Sequence, residues 1–210
     1  MVRGFVRVYI EGGAEGGKAN SDFRRSWKHF LIELHKLAMR KGYQGLQPVR
    51  GMGRGRAFHS FSRHPVQYPD DLGVLLVDAE TAVPKNTRVW DVVARRVGDQ
   101  WRCPPWAKED HLYLMVHSVE TWLLTDPDAL QKFFGRDFNR RPLPTTNLES
   151  WPKDEIETAL RKATKDSAKG AYRHGHANQI IGMVDPTKVK KLRHGGRLFN
   201  SLASLIERSA

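Results

Sequence analysis

Residues 72–80 read LGVLLVDAE, and this segment constrains the fold more than any other. Its apolar positions run without a polar break, and two acids then close the run. A strand with one wet face alternates apolar and polar residues, whereas a strand covered on both faces does not. The run is too short for a buried helix. It therefore predicts a central strand of a parallel sheet, with helices on both sides.

Three more segments have the same character. Residues 5–10, FVRVYI, are β-branched and aromatic with Arg7 as the only charge, and they predict a first buried strand. Leu46 to Val49 is a short second strand, and HLYLMV (111–116) a fourth. Between them, Phe23, Trp27, Phe30, Leu31, Leu34, Leu37 and Ala38 keep helical spacing, so one helix is expected from a cap at Ser21 or Asp22 to about Arg40. Residues 51–56, GMGRGR, are expected to be a flexible basic loop, 57–63 a short helix, and 88–97 another. Asp126 followed by Pro127 marks a helix start. Helices are expected near 154–165, 176–184 and 186–208. Strands alternating with helices give an α/β class with a mostly parallel sheet. The chain of 210 residues is read as one globular unit, an α/β core over 1–134 with a helical C-terminal annex over 135–210.

The formal charge is +12, from 35 basic against 23 acidic residues. Such a balance favours contact with polyanions, nucleic acid first, although solubility alone also explains it. Cys103 is the only cysteine, which excludes an internal disulfide and a multi-thiolate zinc site. The first residues lack a signal-peptide layout and no apolar run approaches a membrane span, so a soluble cytoplasmic protein without membrane contact is expected. There is no GxxxxGK[ST] phosphate loop and no GxSxG elbow.

Chemistry points to acids at strand ends, where ligand sites of parallel sheets lie. Glu11 ends the first strand, and Glu15 follows in a glycine-rich turn. Asp78 and Glu80 end the 72–80 strand. Two positions apart on a strand, they are expected to share a face. Paired carboxylates raise each other's energy, and a divalent cation or a shared proton relieves it. A solvated turn or a helix cap is the competing explanation. Glu120 lies just beyond the fourth strand. The segment KGAYRHGHA offers Lys169, Tyr172, Arg173, His174 and His176 beside a phosphate, and Arg54 and Arg56 form a second basic element.

VYIEGGAEG, LLVDAE, HLYLMVHSVETWLLTDPDAL and AYRHGHANQIIGMVDPTKV, in that order, resemble the bacterial family known as domain of unknown function 4276. That family is in turn similar to the Toprim domains of topoisomerases, primases and overcoming-lysogenization-defect nucleases. The resemblance implies a Toprim-like fold and an acidic rim holding Mg²⁺ or Mn²⁺. It also implies an ATPase partner and a role in defence against mobile DNA. It makes Glu11 the Toprim glutamate, Glu15 a second acid of that motif, Asp78 and Glu80 the acidic pair, and Glu120 a later ligand. The expected activity is a metal-dependent nuclease, with Glu11, Lys169, Arg173 and His174 at the reacting phosphate. Lys18, Arg54, Arg56, Tyr172 and His176 would contact DNA or RNA. The alternatives are a non-catalytic nucleic-acid or nucleotide-binding module, and a phosphoryl or nucleotidyl transferase. An oligomer is compatible with all three.

Overall fold

The computed structural model describes residues 3–12 and 17–209, and the side chains of the latter span from residue 20. Strand β1 covers Val6–Ile10, and helices α1 (Gly17–Phe30) and α2 (Ile32–Arg40) lead to β2 (Leu46–Arg50). Helices α3 (Arg54–Ser62) and α4 (His64–Gln67) precede β3 (Leu72–Asp78), and α5 (Val89–Arg95) precedes β4 (Leu112–Met115). Six α-helices follow among the described residues: α6 (Val119–Leu123), α7 (Pro127–Phe134), α8 (Lys153–Thr164), α9 (His174–Ile180), α10 (Pro186–Val189) and α11 (Arg193–Arg208).

The four strands form one all-parallel sheet in the order β2-β1-β3-β4. Side-chain alternation then assigns its two faces. Val6, Val8 and Ile10 of β1, with Val74, Leu76, Tyr113 and Met115, enter one core with Phe23, Trp27 and Phe30 of α1. Leu198, Phe199 and Leu202 of α11 join the same core, so the C-terminal third packs on the sheet. Tyr9, Leu75, Val77, Leu112 and Leu114 enter a second core with Phe61 of α3 and Trp90 of α5. A sheet sandwiched between helices explains the unbroken apolar run of β3, which is buried from Leu72 to Val77. From β1 the chain goes to one side for β2, then crosses to the other for β3. This reversal puts a topological switch point between β1 and β3, where ligands of open parallel sheets bind at the strand ends.

Four expectations change. The helix expected to start at Ser21 or Asp22 begins at Gly17, and Asp22 sits inside it as a partner of Arg25 at 2.7 Å. Leu31 separates α1 from α2, although hydrogen bonds from its N–H to Trp27 and to its carbonyl from His35 carry across the break. The basic loop is shorter than expected, because Arg54 already opens α3. Residues 186–208 form two helices. A Cβ on Gly195 would stand 2.2 Å from the Val189 carbonyl oxygen, so the second helix starts by folding its glycines tightly against the end of the first. Among the described residues, no helix is long and apolar enough to cross a membrane.

Candidate functional site

Glu11 directly follows β1, and Asp78 is the last residue of β3. The two ends adjoin through the Glu11 N–H, which bonds to the Leu76 carbonyl at 2.9 Å. Glu11 Oε2 accepts the Asp78 N–H at 3.1 Å, so one acid is fixed on the backbone of the other. Asp78 Oδ1 accepts the Val119 N–H at 3.0 Å, from the first residue of α6. Glu80 reaches the same place by a different route from the one expected. The strand stops at Asp78, and Glu80 adopts a left-handed backbone with φ 64°. That conformation is uncommon outside glycine and costs free energy. A hydrogen bond of 2.7 Å from the Glu80 N–H to the His117 carbonyl holds it.

Ligand oxygens of Glu11, Asp78 and Glu80 all lie within 4.8 Å of one another. Burial, above all, pushes the Asp78 carboxyl well above the ordinary carboxylate range; Glu11, Glu120 and Glu80 push it further, while Lys153 pulls it back. Glu11 is also raised by burial, partly offset by Arg54. Glu11 Oε1, Asp78 Oδ2 and Glu80 Oε1 accept no hydrogen bond among the described residues, which leaves one oxygen of each acid for a cation. This donor set of three carboxylates suits a hard divalent ion such as Mg²⁺ or Mn²⁺.

Two cations brace the acids. Arg54 donates to Glu11 Oε2 at 2.9 Å and to the Asp78 carbonyl. Its other nitrogens grip Asp99 at 2.6–2.9 Å, and its guanidinium lies 4.8 Å from the Trp101 ring centre. Arg54 is therefore tied into the site, not held on a mobile loop facing solvent. On the opposite side, Lys153 Nζ lies 2.8 Å from Glu80 Oε2. Burial works against its charge, but the Glu80 hydrogen bond and the charges of Asp78, Glu80 and Glu120 raise its pKa nonetheless. A cleft of about 460 Å³ opens here, lined by Glu80, His117, Lys153 and Glu157 among others. His117 is buried, and among the described residues its Nε2 has no hydrogen-bond partner.

Glu120 sits beside this group, close enough for its charge to act on Asp78. It is only 1% exposed, and its Oε1 accepts bonds of 2.7 Å from the Tyr172 hydroxyl and of 2.7 Å from His174. Burial alone would raise this carboxyl, yet the bonds from His174 and Tyr172 outweigh it and hold the pKa at about 2. His174 bridges on to Glu157 at 3.3 Å. The hydrogen bond to Glu120, against some desolvation, raises its pKa and favours the imidazolium.

A family model matches residues 10–203. The chain belongs to this family, described as a domain of unknown function, DUF4276. No curated protein and no solved structure matches it.

The remaining candidates of this DUF4276 chain fall in several places. Glu15 lies outside the described residues, as does the side chain of Lys18. Tyr172 is buried, and its hydroxyl is committed to Glu120, so it presents no ring for a base to stack on. His176 packs between Phe133, Phe134 and Tyr172, and its Nδ1 caps the Arg173 N–H at 3.3 Å. Lys169 is exposed with Nζ 4.5 Å from the Phe133 ring centre. Arg173 is exposed at the start of α9. Arg56 is exposed on α3 beside a shallow cleft that includes Arg50 and His59. Asp126 caps α7 through Ala129 at 3.3 Å, as expected, and also accepts Lys188 at 2.7 Å. The sequence reading missed Lys153, Asp99, Glu157 and His117. Only Lys153 carried a local signal, since a lysine after Pro152 opens a helix where the macrodipole disfavours a cation.

Proposed function

We propose that this protein is a Toprim-like, Mg²⁺- or Mn²⁺-dependent nuclease acting on phosphodiester bonds. The observation that carries the reading is the convergence of Glu11, Asp78 and Glu80 at the β1–β3 switch point, with Asp78 pushed well above its ordinary range. Carboxylates so placed hold like charge together, and a divalent ion relieves it. Glu11, Asp78 and Glu80 would hold the ion, which when bound supplies Lewis acidity toward a phosphoryl oxygen and an activated water. Arg54 orients Glu11 from behind. Lys153 Nζ stands at the open side of the acids, where a phosphate would approach, and supplies positive charge to it. His174, whose pKa is raised by its hydrogen bond to Glu120 and by the charge of Glu157, adds an N–H donor at the same rim. The net charge of +12 fits a polyanionic substrate. Cytoplasmic residence, an ATPase partner and defence against mobile DNA belong to this reading through the family's likeness to Toprim nucleases.

The test is cleavage of plasmid DNA, single-stranded DNA and RNA with Mg²⁺ or Mn²⁺, alone and with any ATPase encoded alongside. Cleavage that disappears in Asp78→Asn supports the reading. Intact substrates under every condition remove it. One observation favours a second reading, a non-catalytic nucleic-acid or nucleotide-binding module. Lys153 and Arg54 already neutralise Glu80 and Glu11, which lessens the need for a metal. Under that reading Asp78→Asn leaves biological activity intact.

A further inference from the structure

The segments that wall the acidic cleft have a second side. A larger cleft, about 1050 Å³, lies there between the end of β4 and the C-terminal helices. The two share their partition: the chain passes from Ala82 in one to Val83 in the other, from His117 to Val116, and from Pro152 to Ser150. Part of the larger cleft is apolar, formed by Val116, Leu124, Leu143, Leu148 and Leu192.

The rest is cationic. Lys85, Arg140, Lys188, Lys191 and Arg193 line it against one carboxylate, Glu149. Arg140 and Lys188 are matched by Asp126 and Asp128. Lys85, Lys191 and Arg193 make no ion pair among the described residues. Glu149 is already occupied, because its two oxygens accept the N–H groups of Arg193 and His194 at 3.1 and 2.9 Å. The cleft therefore presents unspent positive charge.

His194 supplies an independent observation. It lines the cleft, is only 6% exposed, and neither ring nitrogen has a hydrogen-bond partner among the described residues. Burial, helped by Arg193 and Arg197, lowers its pKa to about 4, so at neutral pH the ring has one donor and one acceptor nitrogen. Buried polar atoms of native proteins are nearly always paired. An unpaired imidazole in the wall of a cleft of ligand size, roughly 300–1,000 Å³ for small-molecule sites, calls for a partner that enters from outside the chain.

We propose that this cleft is a nucleotide-binding site, separate from the acidic one. The base lies on the apolar part with its donor and acceptor edge toward His194. The phosphate lies on Lys191 and Arg193, with Lys85 at the rim. A bare oxyanion would leave the apolar part uncovered, and either an oxyanion or an aliphatic carboxylate could accept from the His194 N–H but offers no donor to its other ring nitrogen. The nucleotide has two sources, a free molecule or one unit of a strand whose next phosphates cross the partition toward Lys153. The site needs no metal, so it stands whether or not the acidic cluster is catalytic.

The test is equilibrium binding at pH 7.5 in EDTA, with AMP, ADP and a short 5′-phosphorylated single-stranded oligonucleotide as probes. Saturable binding of at least one probe is expected. Lys191→Ala with Arg193→Ala weakens it about tenfold or more, since charge-assisted contacts to phosphate are lost. Arg24→Ala with Lys28→Ala, exposed cations on α1, changes it less than about twofold, as a screened surface charge should. Asp78→Asn binds normally, which separates this result from the fate of the nuclease reading. Binding of a mononucleotide identifies a free ligand, and binding of the oligonucleotide alone identifies a strand. No saturable binding of any probe up to millimolar concentration overturns the proposal. So does equal affinity in the wild type and the Lys191/Arg193 variant.

Discussion

Asp78 is the residue whose environment most opposes its charge. Its folded pKa is raised, so the folded state binds a proton more readily than the unfolded chain. Stability conferred by that residue is then greatest at low pH and falls as pH rises toward neutrality. Asp78→Asn removes the charge but keeps an oxygen for the Val119 N–H. In metal-free buffer at pH 7.5 the variant is expected to melt higher than wild type, at about 2–4 °C per kcal/mol recovered in a chain of this size. Mg²⁺ or Mn²⁺ should raise the wild-type melting temperature and leave the variant's almost unchanged. Calorimetry with and without metal checks both, and a variant that melts lower than wild type in EDTA refutes the account of Asp78. Glu120 has the opposite sign. Its pKa is held at about 2, below the unfolded value, so its contribution is present above about pH 4.5 and lost as pH falls toward 2. The shift corresponds to about 3 kcal/mol. Glu120→Gln should cost that order of stability in urea unfolding at pH 7, with the gap to wild type closing as the pH drops through that window.

At the level of elements, the site depends on α3 being pinned at its first residue. Arg54 spans Glu11 after β1, the Asp78 carbonyl on β3 and Asp99 beyond α5, and Asp99 is only 3% exposed at its side chain. Lysine cannot reproduce that fork, because it offers a point charge in place of five fixed donors. Arg54→Lys is therefore expected to destabilise the protein by about 2–4 kcal/mol, toward the cost of breaking a buried pair, and to lower any metal affinity through a misplaced Glu11. A double-mutant cycle with Asp99→Asn should show strong coupling, and additive losses would rule out the bridge. The four strands and their acidic ends were legible because β3 is apolar throughout and because strand ends are where chains turn. The bridge was not. GMGRGR looks like a solvated loop on its own, since nothing local announces an aspartate 45 positions away. Lys153 and Glu157 were hidden for the same reason, as residues of a separate helix brought to the rim by packing of α8 on α6. The pairing of Asp78 and Glu80 was foreseen for the wrong reason: strand periodicity ends at Asp78, and a left-handed residue delivers Glu80.

The whole molecule keeps four histidines buried: His64, His111, His117 and His194 are each less than a tenth exposed, and burial lowers the pKa of each. In the unfolded chain these groups titrate near pH 6.5. Below that pH the unfolded chain takes up protons that the folded chain refuses, so stability is full above about 6.5 and falls as the medium is acidified. His194 alone, with a folded pKa of about 4, accounts for about 3 kcal/mol by the time the pH reaches that value. Total stability of natural domains is commonly about 5–15 kcal/mol. Asp78 and His174 act in the other direction, but His174 is largely exposed and weakly felt. The basic surface adds to the loss, because a chain already at +12 gains further charge as carboxylates protonate, and self-repulsion favours expansion. The melting temperature should accordingly decline steeply between pH 6.5 and 4.5, with net proton uptake on unfolding measurable by calorimetry in buffers of different ionisation enthalpy. His194→Gln, which cannot titrate, should melt with a shallower pH dependence across that interval whatever its stability at pH 7.5. A flat profile in the wild type, or an unchanged slope in that variant, would mean that these imidazoles meet water in solution. The His194 ring would then have no need of a ligand to complete it.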